Sequence, residues 1–138
     1  MIRWMKVKEQ ALFERKTAGA LGFDLVACID EPLVIQQGEV EKVPLGVAVV
    51  APDGGFLTIR SGTAGRGLSL ANGVGVIDPD YRGELSALLV CSGPRYLLMP
   101  GDRVCQFVPL GATGAVSVLV DSLDETERGE GGFGSTGV

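Results

Sequence analysis

Short runs rich in Val, Ile, Leu and Phe alternate with Gly, Pro and Asp along most of the chain. Such runs between turn formers are typical of β-strands, whereas an amphipathic helix would repeat its apolar positions every three to four residues. The pattern indicates an all-β fold of the sandwich, jelly-roll or barrel type. Leu12–Arg15 is ambiguous, and the other predicted strands are Lys6–Val7, Phe23–Ile29, Leu33–Ile35, Val43–Val50, Gly55–Arg60, Val74–Ile77, Leu85–Cys91, Tyr96–Met99, Val104–Val108 and Ala115–Leu119.

The length of 138 residues suits one domain with its own hydrophobic core. We place a β-domain at residues 1–120 and assign no role to its N-terminal extension, residues 1–16. Residues 121–138 are rich in glycine and are predicted to form a flexible C-terminal lid. The alternative for such a segment is a frayed terminus without function.

The composition argues against several classes of function. The net charge is −5, without the basic patch that polynucleotide binding requires, so no polynucleotide partner is expected. The chain has no histidine and no Cys-x-x-Cys pair, which excludes a Ser-His-Asp triad, a histidine base and the usual zinc sites. Any acid–base chemistry therefore falls to carboxylates or tyrosine.

The sequence also bears on location. It contains no apolar stretch long enough to span a membrane and no signal-peptide pattern, so we expect a cytoplasmic protein without a membrane partner. Cys28, Cys91 and Cys105 are widely spaced and flanked by apolar residues. This arrangement is typical of buried reduced thiols rather than of a disulfide framework.

The glycine-rich C-terminal segment carries groups that bind nucleotides. Arg128 supplies a planar cation, Ser135 and Thr136 supply hydroxyl donors, and Phe133 offers an aromatic face for a base. Glycine allows backbone N–H groups to approach phosphate oxygens closely. The segment is therefore interpreted as a mobile lid over an anionic ligand.

Polar clusters also interrupt the predicted strands. Asp24 opens one strand-like run, and Arg60-Ser61-Gly62 end another with three donors that suit phosphate. The ordinary alternatives are a turn aspartate and a satisfied strand-end arginine. Gln106 lies among apolar strand residues, where an unpaired amide is costly. Its amide therefore needs a partner in the protein or in a ligand, and a structural network is the ordinary outcome.

A further cluster at residues 72–84 has the features of a β-hairpin. Its glycines and the tight Asp78-Pro79-Asp80 turn precede Tyr81. Backbone lined by glycine leaves N–H and C=O groups open to the edge of a flat ligand. The hairpin is therefore a candidate binding element.

Together these clusters resemble the five ordered motifs of the trimeric dUTPase family, enzymes that hydrolyse deoxyuridine triphosphate to the monophosphate and pyrophosphate. The resemblance runs from about Thr17 to Gly137. Its motifs are Ala-Leu-Gly-Phe-Asp-Leu at 20–25, Arg-Ser-Gly at 60–62, Gly-Val-Ile-Asp-Pro-Asp-Tyr-Arg-Gly-Glu at 75–84, Gly-Asp-Arg-Val-Cys-Gln at 101–106 and Arg-Gly-Glu-Gly-Gly-Phe-Gly-Ser-Thr-Gly at 128–137. It implies a distorted jelly-roll, β-barrel-like fold, and an activity that limits uracil in DNA and supplies dUMP.

The resemblance also implies a role for each site residue. Asp78 would be the general base that activates water for attack on the α-phosphorus, and Asp24 would hold Mg²⁺ through water while the triphosphate coordinates it. The phosphates would be bound by Arg60, Ser61, Gly62, Gln106, Arg128, Ser135 and Thr136. The nucleoside would be bound by Asn72, Gly75 and Val76 through the hairpin backbone, by Tyr81 under the deoxyribose and by Phe133 stacked on uracil.

The same resemblance implies a homotrimer with shared active sites. The first, second and fourth motifs would come from one chain, the hairpin from the next and the tail from the third. Two alternatives stay open. A dCTP deaminase shares this fold but needs a glutamate where alignment places Leu88, which cannot transfer a proton. An inactive nucleotide-binding homologue would be expected to have lost Asp78, Arg60 or the tail.

Overall fold

A computed structural model describes residues 1–111 and 116–134 of the chain. This described part contains twelve strands and one short helix, which confirms the all-β class. In chain order the elements are β1 (Ile2–Lys6), β2 (Phe23–Val26), β3 (Leu33–Gln36), β4 (Glu41–Pro44), β5 (Val47–Val50), β6 (Gly55–Ile59), α1 (Ser61–Gly65), β7 (Leu68–Leu70), β8 (Gly75–Ile77), β9 (Ser86–Cys91), β10 (Arg95–Leu98), β11 (Arg103–Pro109) and β12 (Ser117–Leu119).

The described strands form four small sheets. Their orders are β2-β11-β6-β8, β4-β9-β7, β12-β1-β5 and β10-β3. All pairs are antiparallel except β1 with β12, which run parallel. The four-stranded sheet matters most for function, because four of the predicted polar clusters lie on or beside its strands.

One hydrophobic core joins the sheets. Strand β9 shows how the sequence builds this core. Buried and half-buried residues alternate along it, because side chains in a strand point to opposite faces with a period of two. Phe107 on β11 and Leu25 on β2 are fully buried, and Leu57 on β6 is nearly so. Burial of each such side chain stabilises the fold by about 1.5–3 kcal/mol. These residues therefore determine which face of the sheet packs on the core.

The N-terminal extension packs onto this core. Phe13 stacks on Phe23 with ring centroids 4.5 Å apart, and Trp4 on β1 lies 5.3 Å from Phe13. Trp4 pairs with Val49 of β5 on one side and with Leu119 of β12 on the other. The extension is therefore an integral part of the β-domain.

Some predicted boundaries were wrong. The single strand predicted at Val43–Val50 is two strands, because Gly46 between them has a φ of +73°. A Cβ at Gly46 would lie 2.5 Å from the sulfur of Cys28, so the close packing also requires glycine. Helix α1 and strand β7 were not predicted. The N-terminal strand begins at Ile2 and ends at Lys6, where the prediction had it begin.

Cys28, Cys91 and Cys105 are buried and unpaired, as the apolar flanking residues predict. Burial raises the pKa of the Cys105 thiol to about 12. Within the described ranges, no helix combines the length and the apolar character that crossing a membrane would require.

Candidate active site

Residues of the first, second and fourth motifs meet in the four-stranded sheet. Strand β11 lies between β2 and β6, and its Gln106 pairs with Asp24 on one side and with Thr58 on the other. Arg60 follows directly after β6. The sheet register therefore brings Asp24, Arg60 and Gln106 together, although they are far apart in sequence.

Two arginines share the carboxylate of Asp24. Arg60 Nε lies 3.2 Å from Oδ1, and Arg103 Nη1 lies 3.1 Å from Oδ2. Arg103 also binds Glu14, with Nη2 3.1 Å from Oε1. Asp24 is only 6% exposed, and a buried carboxylate is costly unless it is paired in this way. We call Glu14, Asp24, Arg60 and Arg103 the arginine cluster.

The start of helix α1 is tied to the same cluster. Arg60 Nη1 and the hydroxyl of Thr63 both donate to the carbonyl oxygen of Arg103, at 3.3 and 3.1 Å. Thr63 is 1% exposed, whereas Ser61 and Gly62 are exposed. The first intrahelical hydrogen bond runs from Ala64 N–H to the Arg60 carbonyl, so the N–H groups of Ser61 and Gly62 have no partner within the helix.

Gln106 is half-buried beside the cluster. Its amide makes no hydrogen bond to any of the described residues, so the structural network expected from the sequence is not found there. A Cβ at Gly22 would lie 2.3 Å from Gln106 Oε1. Glycine at position 22 therefore makes room for an amide that remains available to a ligand.

The hairpin cluster lines a separate cavity of about 230 Å³, which we call the hairpin pocket. Its wall is mainly apolar and is completed by two aromatic rings and a few polar groups, as ligand pockets usually are. Leu88, at the position where a deaminase needs glutamate, is part of this aliphatic wall. The lining residues are Leu57, Leu70, Asn72, Gly75, Val76, Ile77, Tyr81, Leu85, Ser86, Leu88, Arg128, Gly132 and Phe133.

Tyr81 is fixed in the floor of the hairpin pocket. The residue is 6% exposed, and its hydroxyl donates to the carbonyl oxygen of Glu84 at 2.9 Å. Burial raises the pKa of the Tyr81 phenol, so the hydroxyl stays protonated at neutral pH. A Cβ at Gly83 would lie 2.4 Å from the Tyr81 oxygen, which explains the glycine at that position.

The tail closes one side of the hairpin pocket with Arg128 and Phe133. Arg128 Nη1 pairs with Asp78 and, at 3.3 Å, with Asp80. The hydrogen bond to Asp78 is the main reason that the pKa of Arg128 is raised. Phe133 is 54% exposed and lies under the ammonium of Lys42, 3.6 Å from the ring centroid. Ser135 and Thr136 lie outside the described residues.

Polar bonds tether the tail to the hairpin of its own chain. Arg82 holds the carboxylate of Asp124 through Nε at 3.3 Å and Nη2 at 3.1 Å, which lowers the pKa of Asp124. The Thr126 hydroxyl donates to the Asp80 carbonyl at 2.7 Å, and Arg82 N–H donates to the Gly129 carbonyl at 2.7 Å. These bonds join the tail and the hairpin within one chain.

Asp78 and Arg60 do not meet within one chain. Strands β6 and β8 are antiparallel, with Gly55 opposite Ile77, so Asp78 lies beside Gly54 while Arg60 follows the other end of β6. The path from Gly54 to Arg60 spans roughly 20 Å at the rise of an extended strand. The structure thus has two separate groups of predicted site residues, the arginine cluster with Gln106 and the hairpin pocket with Asp78.

The described residues contain no group of three or more carboxylates, cysteines or histidines close enough to chelate a metal. Oδ2 of Asp24 accepts a hydrogen bond from Arg103 and Oδ1 forms an ion pair with Arg60, yet each carboxylate oxygen has a further lone pair that can bind a water. Mg²⁺ usually keeps several waters and binds through substrate phosphates and one or two carboxylates. The donor set around Asp24 fits that mode of binding.

Sequence reasoning assigned no role to several residues that build these groups. Arg103 and Glu14 hold Asp24, Thr63 holds the start of α1, and Arg82 anchors the tail. Arg103 lies within the fourth motif, and that position was the available signal for it. Arg82 lies within the third motif in the same way, whereas Glu14 and Thr63 are paired by long-range contacts, for which a single sequence carries no signal.

Comparison with known proteins identifies the family. The dUTPase family model matches residues 8–137. A deoxyuridine 5'-triphosphate nucleotidohydrolase of Desulfitobacterium hafniense is 46% identical, covering 96% of this chain and 91% of that protein. One from Psychromonas ingrahamii is 42% identical, with coverages of 94% and 89%.

Solved structures show the same fold. The dUTPase from Streptococcus mutans is 32% identical, covers 85% of this chain and 94% of its own, and superposes with a TM-score of 0.66. A dUTPase from phage phi11 of S. aureus is 22% identical, with coverages of 92% and 97% and a TM-score of 0.68, which supports the fold alone. With the family model matching nearly its whole length, the chain belongs to the dUTPase family.

Proposed function

We propose that this chain hydrolyses dUTP to dUMP and pyrophosphate, through attack of a water activated by Asp78 on the α-phosphorus. Membership of the dUTPase family and the named relatives support the overall reaction. The observation that carries the assignment of the base is the position of Asp78, next to a nucleoside-sized pocket and in contact with the tail. The activity limits uracil incorporation into DNA and supplies dUMP for thymidylate synthesis.

Deoxyuridine binds in the hairpin pocket in this proposal. The backbone of Asn72, Gly75 and Val76 pairs with the 4-carbonyl and ring N–H of uracil and meets the 4-amino group of cytosine with the wrong polarity. Mispaired polar groups discriminate by about 10⁴-fold or more, against about 10- to 200-fold for a methyl group. The fixed ring of Tyr81 lies under the deoxyribose, where a 2′-hydroxyl has no room, and Phe133 stacks on the base.

Arg128 has to exchange partners during the reaction. In the structure its Nη1 donates to Oδ2 of Asp78, so one oxygen of the proposed base is engaged by a cation. The more negative triphosphate competes for the guanidinium, as charge-assisted bonds to phosphate are strong. Substrate binding would thus transfer Arg128 to the phosphates, with Ser135 and Thr136, and free Asp78 to take a proton from water.

The arginine cluster binds the triphosphate in this proposal. Arg60, the N–H groups of Ser61 and Gly62, and the unpaired amide of Gln106 all present donors to one region. Asp24 would hold, through water, a Mg²⁺ ion bound by the triphosphate, and this ion would supply charge neutralisation for the departing pyrophosphate. A phage phi11 dUTPase has been described with a structural Mg(II) ion.

Release of pyrophosphate from dUTP is the direct test. The purified chain with Mg²⁺ should turn over dUTP, while dCTP and UTP should react at least about 10³-fold more slowly in kcat/KM if the hairpin reads the base and Tyr81 reads the sugar. Equal turnover of dCTP would contradict the assignment of the hairpin. No turnover of dUTP would contradict the proposed reaction itself.

We further propose a homotrimer in which chains share their active sites. The separation of roughly 20 Å along the strands between Asp78 and Arg60 supports this, because a base must lie within about 3 Å of the water that attacks the phosphate. The arginine cluster of one chain would face the hairpin pocket of a neighbour. The tail of each site would come either from the third chain or from the chain that supplies the hairpin, which it contacts within the single chain.

Mixed trimers separate these arrangements. Co-refolding equal amounts of Asp78→Asn chains and Arg60→Gln chains should restore activity, because about a quarter of the shared sites receive both intact residues. A mixture of Asp78→Asn chains with chains lacking residues 126–138 tests the tail. It should recover nothing if the tail serves its own hairpin, and about a quarter of sites if the tail comes from a third chain. No recovery in either mixture would contradict shared sites.

A further inference from the structure

The residues just before β2 form part of the surroundings of Asp24. The N–H of Asp24 donates to the carbonyl of Glu14 at 2.7 Å, and the two residues form an isolated β-bridge. Phe13, which is 4% exposed and stacked on Phe23, anchors this segment in the core. The backbone of Glu14 is therefore fixed, while its side chain is 51% exposed and reaches Arg103.

Arg103 uses its two terminal nitrogens on two different carboxylates. Nη2 binds Glu14 and Nη1 binds Asp24, each at 3.1 Å. These two bonds, the one to Asp24 first, raise the pKa of Arg103. Oδ1 of Asp24 therefore remains available to Arg60, and the one buried carboxylate pairs with both arginines at once.

This division determines how Arg60 is held. Its Nε faces Asp24 and its Nη1 donates to the carbonyl of Arg103, while its Nη2 donates no hydrogen bond to any residue in the described ranges. Arginine and carboxylate prefer a bidentate pair when nothing else engages the guanidinium. Without Glu14, Arg103 could take both oxygens of Asp24 and displace Arg60 from Oδ1.

We propose that Glu14 is a positioning residue for phosphate binding: it holds Arg103 so that Asp24 remains shared and Arg60 remains directed at the triphosphate. The proposal rests on the phosphate-binding role proposed for Arg60. It assigns a task to the N-terminal extension, whose carboxylate acts through two arginines without touching the substrate.

The direction of the change in KM distinguishes a positioning role of Glu14 from an effect of its negative charge alone. Glu14→Gln removes a negative charge near an anionic substrate, which by long-range electrostatics alone would tighten binding and lower KM. Loss of positioning would raise KM instead. Steady-state dUTP hydrolysis at about 0.15 M salt, where distant charges are screened, should therefore give a KM about three- to five-fold higher for Glu14→Gln, with kcat within about two-fold.

Three controls complete the experiment. Glu31→Gln removes an equally exposed carboxylate that makes no hydrogen bond or ion pair to the described residues, and its KM should be unchanged. Arg103→Lys, whose single ammonium replaces the planar guanidinium, should raise KM as well. Glu14→Gln should then add nothing in the Arg103→Lys background, because both changes break one chain of contacts. Melting temperatures should separate these effects from unfolding.

An unchanged or lower KM for Glu14→Gln would overturn the proposal, and so would full additivity with Arg103→Lys. If Arg103→Lys does not fold, the KM of Glu14→Gln decides alone. The Arg60→Gln variant distinguishes this proposal from the phosphate-binding role of Arg60, on which it rests. If Arg60→Gln raises KM and Glu14→Gln does not, only the positioning role fails, whereas a normal KM for Arg60→Gln removes the phosphate-binding role of Arg60.

Discussion

The arginine cluster and the hairpin pocket are built in different ways. Residues of the cluster lie on or beside adjacent strands, and a buried carboxylate, Asp24, joins two arginines at its centre. The cover of the hairpin pocket lies on a tail that is held by polar bonds at the surface, such as those from Arg82 to the exposed Asp124. Buried pairs within a sheet open rarely, whereas exposed bonds on a loop open often.

The difference teaches which part of the site is preformed. If the cluster binds the triphosphate as proposed, it would do so without rearrangement, because the sheet fixes its side chains. In the same proposal the tail would detach and return to admit substrate and release product, and such closing steps limit turnover in many enzymes. Substitutions in the two regions should therefore have different signatures in kcat, KM and stability.

Asp78→Asn should give the largest effect. The amide keeps the shape of the side chain but cannot accept a proton, so kcat should fall by about 10²–10⁴-fold while KM changes by less than a few fold. Stopped-flow release of pyrophosphate measures both constants. Asp80→Asn is the matched control, since Asp80 also pairs with Arg128, and it should retain most of kcat. Near-normal turnover by Asp78→Asn would remove Asp78 as the base.

Removal of residues 126–138 should abolish most activity without unfolding the chain. The deleted segment carries Arg128 and Phe133 over the pocket but contributes no residue to the buried core of the described part. Activity should fall by more than about tenfold, while the melting temperature moves by only a few degrees. Calorimetry and a dUTP assay on the same sample test this. A large drop in melting temperature would show that the tail is structural.

Gly22→Ala should have an intermediate effect confined to phosphate binding. The new methyl would lie 2.3 Å from Oε1 and 3.1 Å from Cβ of Gln106, so the end of that side chain must move and the strand behind it must shift slightly. We expect KM for dUTP to rise by about 3- to 30-fold, less than the full value of a lost hydrogen bond to a charged group because the Gln106 side chain is moved rather than removed, with a melting temperature lowered by no more than a few degrees. Gly19→Ala, where a Cβ would meet nothing within 4 Å, is the control.

Asp124→Asn should have the smallest effect and should loosen only the tail. Arg82 lowers the pKa of Asp124, so the contribution of this pair is present above the ordinary aspartate pKa of about 3.9 and is lost as the pH falls through the lower folded pKa. Hydrogen exchange at the Arg82 amide, which is bonded to Gly129, should quicken several-fold in Asp124→Asn at pH 7. The same amide in the unaltered chain should keep its protection down to about pH 4. Unchanged exchange in the variant would show that the pair does not hold the tail.

Much of the fold could be predicted because the alternation of apolar and polar residues identifies strands in the sequence. Strand β9 and strand β11 follow the predicted ranges closely, since buried and half-buried positions alternate along β9 and along most of β11. Helix α1 was not predicted because its sequence, Ser-Gly-Thr-Ala-Gly, has the composition of a loop. Its position depends instead on Thr63, which bonds to a strand far away in the chain.

The candidate site was predictable to a similar degree. The ordered motifs identified Asp24, Arg60 and Gln106 as partners, and the structure brings these three together. The pairing of Glu14 with Arg103 spans 89 positions and follows from the sheet register alone. The contact between the tail and its own hairpin also depends on tertiary structure, which motif order does not encode.

The chain has a single tryptophan, and its position makes it a built-in optical probe. Trp4 pairs with Leu119 in the strand that leads to the tail, and its carbonyl accepts from Val120 N–H at 2.9 Å. Its indole is half-buried against Phe13, in the segment that carries Glu14. Indole emission therefore reports on the two chain ends where they join the β-domain, without the need for an added label.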